Sequence, residues 1–430
     1  MVRRFLAAAL AALCLAAPAI ADDPVLFEYR TWLIKDSRTG PVAQLQAGIN
    51  DALASCGINT AIGIDGQFGR SSRSAIISLA TCDTVSAQLP DGSPARTGAV
   101  TVALWKAIMQ GKPAPTVDQR AAALKLTFEA TDYDRMQWNY CQNRPRYGPE
   151  DGQRTCFSND KRSFITWGPN GATAGHGREV QAIIRQFGDS GTPGNADLFN
   201  AAFAAEAPAV QRMLELENKS DNSSLETYLC GVWMSPERRA AWIDGFRALG
   251  QSAELPALYR DVYRSGSFDG GKIATFHRVW TSEEFGLPVS ELDHAFFIDR
   301  SAHMSISERK LTGALRTLKS ASGSAWPPAP AAIRQYVALN VRPPNQRSDR
   351  LGRDVAFYVE GVGQSALNTD ETAAWANRGR RNAVDLGLSD TRLVPAFTAG
   401  PAISHPMPTG TLTDAETALC PDAVLNPSSP

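Results

Sequence analysis

The 430-residue chain predicts a mainly α-helical protein carrying one small β-element. Three observations support this. Apolar residues recur at three- and four-residue intervals through most of the chain, as in Val180 to Phe187, Ala240 to Leu249 and Leu292 to Ile298, which is the signature of helices with one buried face. A single stretch, Phe157 to Gly177, reads as strand and turn. Pro and Gly cluster at Gly111–Pro115, Pro327–Pro330 and Arg342–Pro344, where they punctuate that pattern.

Met1 to Arg4 is a basic start, Phe5 to Ala17 is apolar, and Ala19-Ile20-Ala21 fits a small-x-small cleavage rule. Residues 1–21 therefore read as an export signal cut after Ala21. No later run reaches the roughly 20 apolar residues that a membrane-spanning helix needs, so we expect a secreted or periplasmic protein without stable membrane insertion. Of the seven cysteines, Cys14 falls in the signal. The other six form an even set with no C-x-x-C metal spacing. We expect Cys56–Cys82, Cys141–Cys156 and Cys230–Cys420, among the 15 connectivities that six cysteines permit. A formal charge of −1 argues against a general nucleic-acid binder.

Val42, Leu45, Ile49 and Leu53 predict a helix over Pro41–Ser55, with further helices over Ser71–Leu79 and Thr101–Met109. Between the first two lies Ile64-Asp65-Gly66-Gln67-Phe68-Gly69, a turn sequence. Val42-x-x-Leu45-Gln46 followed by Asp65-Gly66-x-Phe68-Gly69-x-x-Ser72-x-x-Ala75-Ile76 resembles the three-helix peptidoglycan-binding domain that accompanies many bacterial wall hydrolases. Ser72 stands where that family usually has Thr. The resemblance implies a domain over residues 36–111, and a polysaccharide partner. The segment Gly111-Lys112-Pro113-Ala114-Pro115 is then a linker.

The candidate chemistry lies between residues 126 and 177. Leu124, Leu126 and Phe128 precede Glu129 on a helical segment, and burial among such neighbours raises a carboxyl pKa toward the range of a general acid. Thr131 to Asp134 suggests a cap for a new helical turn, and Asp132 and Asp134 are substitutes for Glu129 as the acid. Asp160 lies in the polar run Ser158 to Arg162, where hydration and two cations keep a carboxylate charged.

Asp160-x5-Thr166-x-Gly168 is similar to the β-hairpin of phage-type lysozymes and the related chitosanases. That resemblance implies a lysozyme-like α+β domain over residues 116–325, in which Glu129, Asp160 and Thr166 are catalytic. It also implies inversion, with Glu129 protonating the glycosidic oxygen while Asp160 and Thr166 hold the attacking water; such carboxyls stand roughly 6.5–9.5 Å apart. Glu129 and Asp160 are separated by more chain than in those relatives, and a Cys141–Cys156 bridge would close the insertion. Trp167, Trp138 and Tyr140 are candidate sugar platforms, with Asn170 a further contact.

The glycine-rich stretch from Gly168 to Gly177 lacks the Gly-Lys-Ser/Thr ending of a phosphate loop, and His176, Glu179, His277, His294 and His303 form no metal motif. We expect no metal and no cofactor. Residues 326–430 read as an extension packed on the catalytic domain; its Arg378-Gly379-Arg380-Arg381 run reads as a solvated helix face. The function expected from these readings is hydrolysis of peptidoglycan glycan strands. The alternatives are a chitosanase-like hydrolase of glucosamine polymers and a non-catalytic wall-binding protein.

Overall fold

The structure is a computed structural model that describes residues 23–29, 34–129, 132–139, 163–175, 177–189, 194–218, 221–303, 307–341, 354, 358, 386–404 and 407–420. It is mainly helical with small antiparallel sheets. The first unit runs β1 (Val25–Phe27), β2 (Ile34–Lys35), α1 (Pro41–Ser55), β3 (Gln67–Phe68), α2 (Arg70–Leu79), α3 (Asp83–Ser86), β4 (Val100–Thr101) and α4 (Val102–Ile108). The apolar stripe of α1 is buried as its spacing requires, with Val42, Leu45 and Ile49 fully enclosed. Thr101 caps α4 by accepting the Leu104 N–H at 3.2 Å.

Strands upstream of residue 36 belong to this unit, because β1 pairs with β4 and β2 with β3. Its sequence motif works as a clamp. The Gln46 carboxamide accepts the N–H groups of Asp65 and Gly66 at 3.0 and 2.9 Å and donates to the Asp65 carboxylate at 2.9 Å and the Gln67 carbonyl at 3.2 Å. Every polar edge of the buried amide is thereby satisfied. Gly66 has φ +70°, and a Cβ there would come within 2.8 Å of the Asp36 and Ser37 carbonyl oxygens, so only glycine lets the turn lie this close to β2.

After α5 (Val117–Glu129) comes a three-stranded antiparallel sheet ordered β5 (Met136–Trp138), β6 (Ser163–Trp167), β7 (Ala172–Gly175). No helix begins at Asp132: Tyr133 and Asp134 form a turn that leads directly into β5. The helices α6 (Glu179–Asp189), α7 (Asn195–Phe203), α8 (Ala207–Glu215), α9 (Ser223–Met234), α10 (Pro236–Gly250), α11 (Leu255–Arg264), α12 (Asp269–Trp280), α13 (Glu291–His303), α14 (Glu308–Ser322) and α15 (Pro330–Asn340) follow, with a short α16 (Asp414–Ala418) near the end of the described chain.

Two apolar cores result. One joins α1, α2 and α4 to α5 and to α12 through α15, with Leu386 and Leu388; the other joins the three-stranded sheet to α6 through α11. Thus the apolar interior continues across the Gly111–Pro115 segment. Residues 386–400 lace the first core together: Arg120 donates to the Leu386 carbonyl and to Glu291, and Arg334 bridges Asp293 to Asp390. Cys56–Cys82 and Cys230–Cys420 are disulfides, with Cα separations of 6.1 and 5.6 Å; Cys141 and Cys156 lie outside the described residues. Among the described residues, no helix is long and apolar enough to cross a membrane.

Candidate functional site

A cleft of about 440 Å³ opens where the two cores meet. Its walls come from residues 36–44, the body of α5 (Asp118, Gln119, Ala122, Leu126), Tyr133, the β6–β7 turn (Pro169, Asn170), Ala253 with α11 to α13, and Phe397.

Of the residues predicted from sequence, the structure brings Asn170 to this cleft. Glu129 closes α5, three positions beyond the cleft-lining Leu126; its side chain, like Asp160 and Tyr140, lies outside what the structure describes. Thr166 exchanges hydrogen bonds with the Asn139 carboxamide at 3.0 and 3.2 Å and does not line the cleft. The two tryptophan platforms need correction. Trp167 is 0% exposed, packed edge-on against Phe246 and Tyr259, and donates its indole N–H to the Tyr133 carbonyl at 2.7 Å. Trp138 is buried against Trp242. Strand alternation explains the first placement: Ile165 and Trp167 share the inward face of β6 and flank the partly exposed Thr166. Of the substitutes, Asp132 accepts the Arg38 and Tyr133 N–H groups, and neither Asp132 nor Asp134 lines the cleft.

The first wall carries Asp36, brought in by the β2–β3 pairing and by its own N–H, which donates to the Gly66 carbonyl at 2.8 Å. Its carboxyl oxygens accept the Ser37 N–H at 2.7 Å and the Val42 N–H, in the first turn of α1, at 3.1 Å. Desolvation outweighs those two donors and pushes the carboxyl up to about 7, with nearby Asp132 adding to the rise. Asp36 is partly open to the cleft. It therefore presents a carboxyl that holds its proton close to neutrality.

Elsewhere in the cleft lining the Asp118 carboxylate, in the first turn of α5, pairs with Arg264 and takes a 2.6 Å hydrogen bond from His294. Behind it, His294 Nδ1 and His277 Nε2 stand 2.9 Å apart, with Phe397 against both rings. Burial drives both imidazoles down to about 4; His294 lowers His277 further, and Arg264 lowers His294. Among the described residues, no cluster of three His, Cys, Asp or Glu side chains is arranged to hold a metal ion.

Tyr259 sets the third wall. Its hydroxyl accepts the Asn170 and Ala172 N–H groups at 3.1 and 3.3 Å and donates to the Trp167 carbonyl at 3.0 Å. One buried phenol thus pins the whole β6–β7 turn. Gly168 has φ +73° and would place a Cβ 2.8 Å from the Tyr259 ring, so the glycine of the hairpin motif serves close packing. Glu179, at the start of α6, accepts both Thr173 groups; burial raises its carboxyl, and Asp269 contributes to the rise.

Sequence reasoning missed Asp36, Asp118, Arg264 and Tyr259. Asp118 reads as an ordinary first-turn helix acid, and Asp36 precedes a helix-starting Gly40-Pro41 with no motif around it. The one available signal was the unusual pair of buried-pattern histidines on neighbouring helices, His277 and His294, which share no motif spacing. What the cleft offers is a set of tyrosines, carboxamides, a protonated carboxyl and a paired carboxylate, the chemistry that holds a hydroxyl-rich ligand. Compared with family models, with curated proteins and with solved structures, the chain matches none of them.

Proposed function

We propose that the chain is an exported glycoside hydrolase acting on an amino-sugar polysaccharide, peptidoglycan, and that the central cleft receives the glycan strand. The observation that carries this reading is the meeting, in one cleft, of the two elements to which sequence assigned the chemistry: α5, through Ala122 and Leu126, and the β6–β7 turn, through Pro169 and Asn170. The Cys56–Cys82 and Cys230–Cys420 disulfides support an oxidising compartment.

In this mechanism Glu129 protonates the glycosidic oxygen and Asp160 holds the water that attacks the opposite face of the sugar; Thr166, bonded to Asn139 outside the cleft lining, takes no direct part. Asp36 is a second proton donor at the same cleft, because its carboxyl remains protonated near neutral pH. The resemblance of residues 42–76 to a peptidoglycan-binding domain supports the choice of polymer. Here that unit would form part of the active cleft, through residues 36–44.

Reducing-end release from purified peptidoglycan, set beside chitosan, tests the reading. Release from peptidoglycan is the expected result; release from chitosan alone would reassign the polymer, and polymer binding without release would leave a wall-binding protein. Glu129→Gln should lower turnover by at least about 100-fold with binding retained. If that variant works within a few-fold of wild type while Asp36→Asn is inactive, the acid is Asp36.

A further inference from the structure

The hydrolysis proposed above makes no use of Asp118, Arg264, His294 or His277, yet their arrangement is specific. A carboxylate only accepts hydrogen bonds, so the 2.6 Å contact places a proton on His294 Nε2. His294 Nδ1 must then accept, and the proton of the 2.9 Å contact sits on His277 Nε2. This leaves His277 Nδ1 as a bare lone pair, and among the described residues that buried atom has no hydrogen-bond partner. Geometry thus fixes both tautomers and gives the chain one direction, from His277 through His294 to Asp118.

Such a chain is costly. Both imidazoles are almost fully buried, and one polar atom has no partner among the described residues, where apolar side chains would pack without penalty. What it achieves is a carboxylate fixed in position at the cleft wall. Arg264 is fixed in turn: its guanidinium pairs with Asp118 and lies over the Phe397 ring at 5.2 Å. Among the described residues each Asp118 oxygen has one partner and retains a lone pair, and the guanidinium has further N–H groups to donate. Both side chains line the cleft and remain partly open to it.

We propose that Asp118 and Arg264 form a rigid acceptor–donor pair that binds two neighbouring polar groups of one sugar residue, adjacent hydroxyls or a hydroxyl beside an acetamido group, and that His294 and His277 are its positioning residues. A flexible pair would lose ordering entropy on each binding event; this one is ordered beforehand. A carboxylate already neutralised by a guanidinium suits hydrogen bonding to the ligand better than proton abstraction. The proposal rests on the cleft being the glycan site, but not on Glu129 being the acid.

The test is calorimetric binding of the tetramer of N-acetylglucosamine to the full chain, together with kcat and KM on peptidoglycan. Arg264→Gln and Asp118→Asn should each weaken tetramer binding by about tenfold or more, the usual loss of a charge-assisted hydrogen bond. They should raise KM while leaving kcat nearly unchanged. His294→Gln, which touches no ligand, should raise KM by about threefold with kcat kept, since it only loosens Asp118. Absence of tetramer binding by the wild type, or binding by both folded variants within about twofold of it, overturns the proposal. If Asp118→Asn does not fold, Arg264→Gln decides alone, because that side chain is the more exposed of the pair. Tetramer binding that depends on the pair, without hydrolysis, would refute the hydrolase reading and keep this one; hydrolysis with KM unmoved in the variants would do the reverse.

Discussion

Asp36 and Asp118 face the same cleft, but their surroundings make opposite demands on protons. Asp36 is held by neutral backbone N–H groups and near a second carboxyl, so burial wins and its proton stays on up to about 7. Asp118 is held by a guanidinium, and behind it stand two imidazoles kept neutral down to about 4. The two walls therefore respond to pH with opposite sign. The folded chain retains the Asp36 proton across the window from 3.8 to about 7 in which the unfolded chain has released it, so that wall loses stability as pH rises. Folded His277 and His294 refuse the protons that the unfolded chain takes up below 6.5, so that wall loses stability as pH falls toward 4. A shared cleft does not imply a shared electrostatic design.

The largest effect expected of one substitution at a fixed pH concerns neither wall but the hairpin that completes the cleft. Trp167→Ala should cost about 3–5 kcal/mol in urea unfolding, as for a large aromatic removed from a packed core; a cost below about 1 kcal/mol would return the ring to the surface as a sugar platform. Next comes the acid limb. In wild type, stability should fall by up to about 1.4 kcal/mol per pH unit for each imidazole between 6.5 and 4, and a His277→Phe, His294→Gln double variant should be flatter there. An unchanged acid limb would mean that the histidines titrate normally. The smallest effect belongs to one group: between pH 5 and 7 the slope of stability against pH in Asp36→Asn should exceed that of wild type by up to about 1.4 kcal/mol per pH unit. If the two slopes agree, Asp36 is ionised in the folded chain and is not the second proton donor.

Local patterns were legible in the sequence because they record single elements. The α1 boundaries follow from Pro41 and from an apolar stripe that ends at Leu53, and two expected disulfides are present because their cysteines serve packed helices. Trp167 shows where that reading failed. Next to a motif threonine it looks like a ligand contact, but β-strand alternation turns consecutive side chains to opposite faces, and the tryptophan took the inner one. Asp36, Asp118 and Arg264 were illegible for another reason. Each is locally unremarkable, and they meet only through pairings between distant segments: β2 with β3, α5 with α13, and Gly400 with Arg264.

The continuous core has a practical consequence for anyone dividing this chain into pieces. A fragment spanning residues 116–325, the part that looks catalytic by its motifs, would carry α5 and the hairpin but lose residues 36–44 and Phe397 from the cleft. It would also uncover the faces of α5, α12 and α13 that α1, α4 and residues 386–388 now help to enclose, and exposed apolar surface of that kind promotes aggregation. Inactivity of such a fragment would say nothing about the full chain. The smallest unit that can be assayed is the chain from β1 through Cys420, because residues 36–44 and Phe397 are walls of the same cleft and Cys420 is the disulfide partner of Cys230.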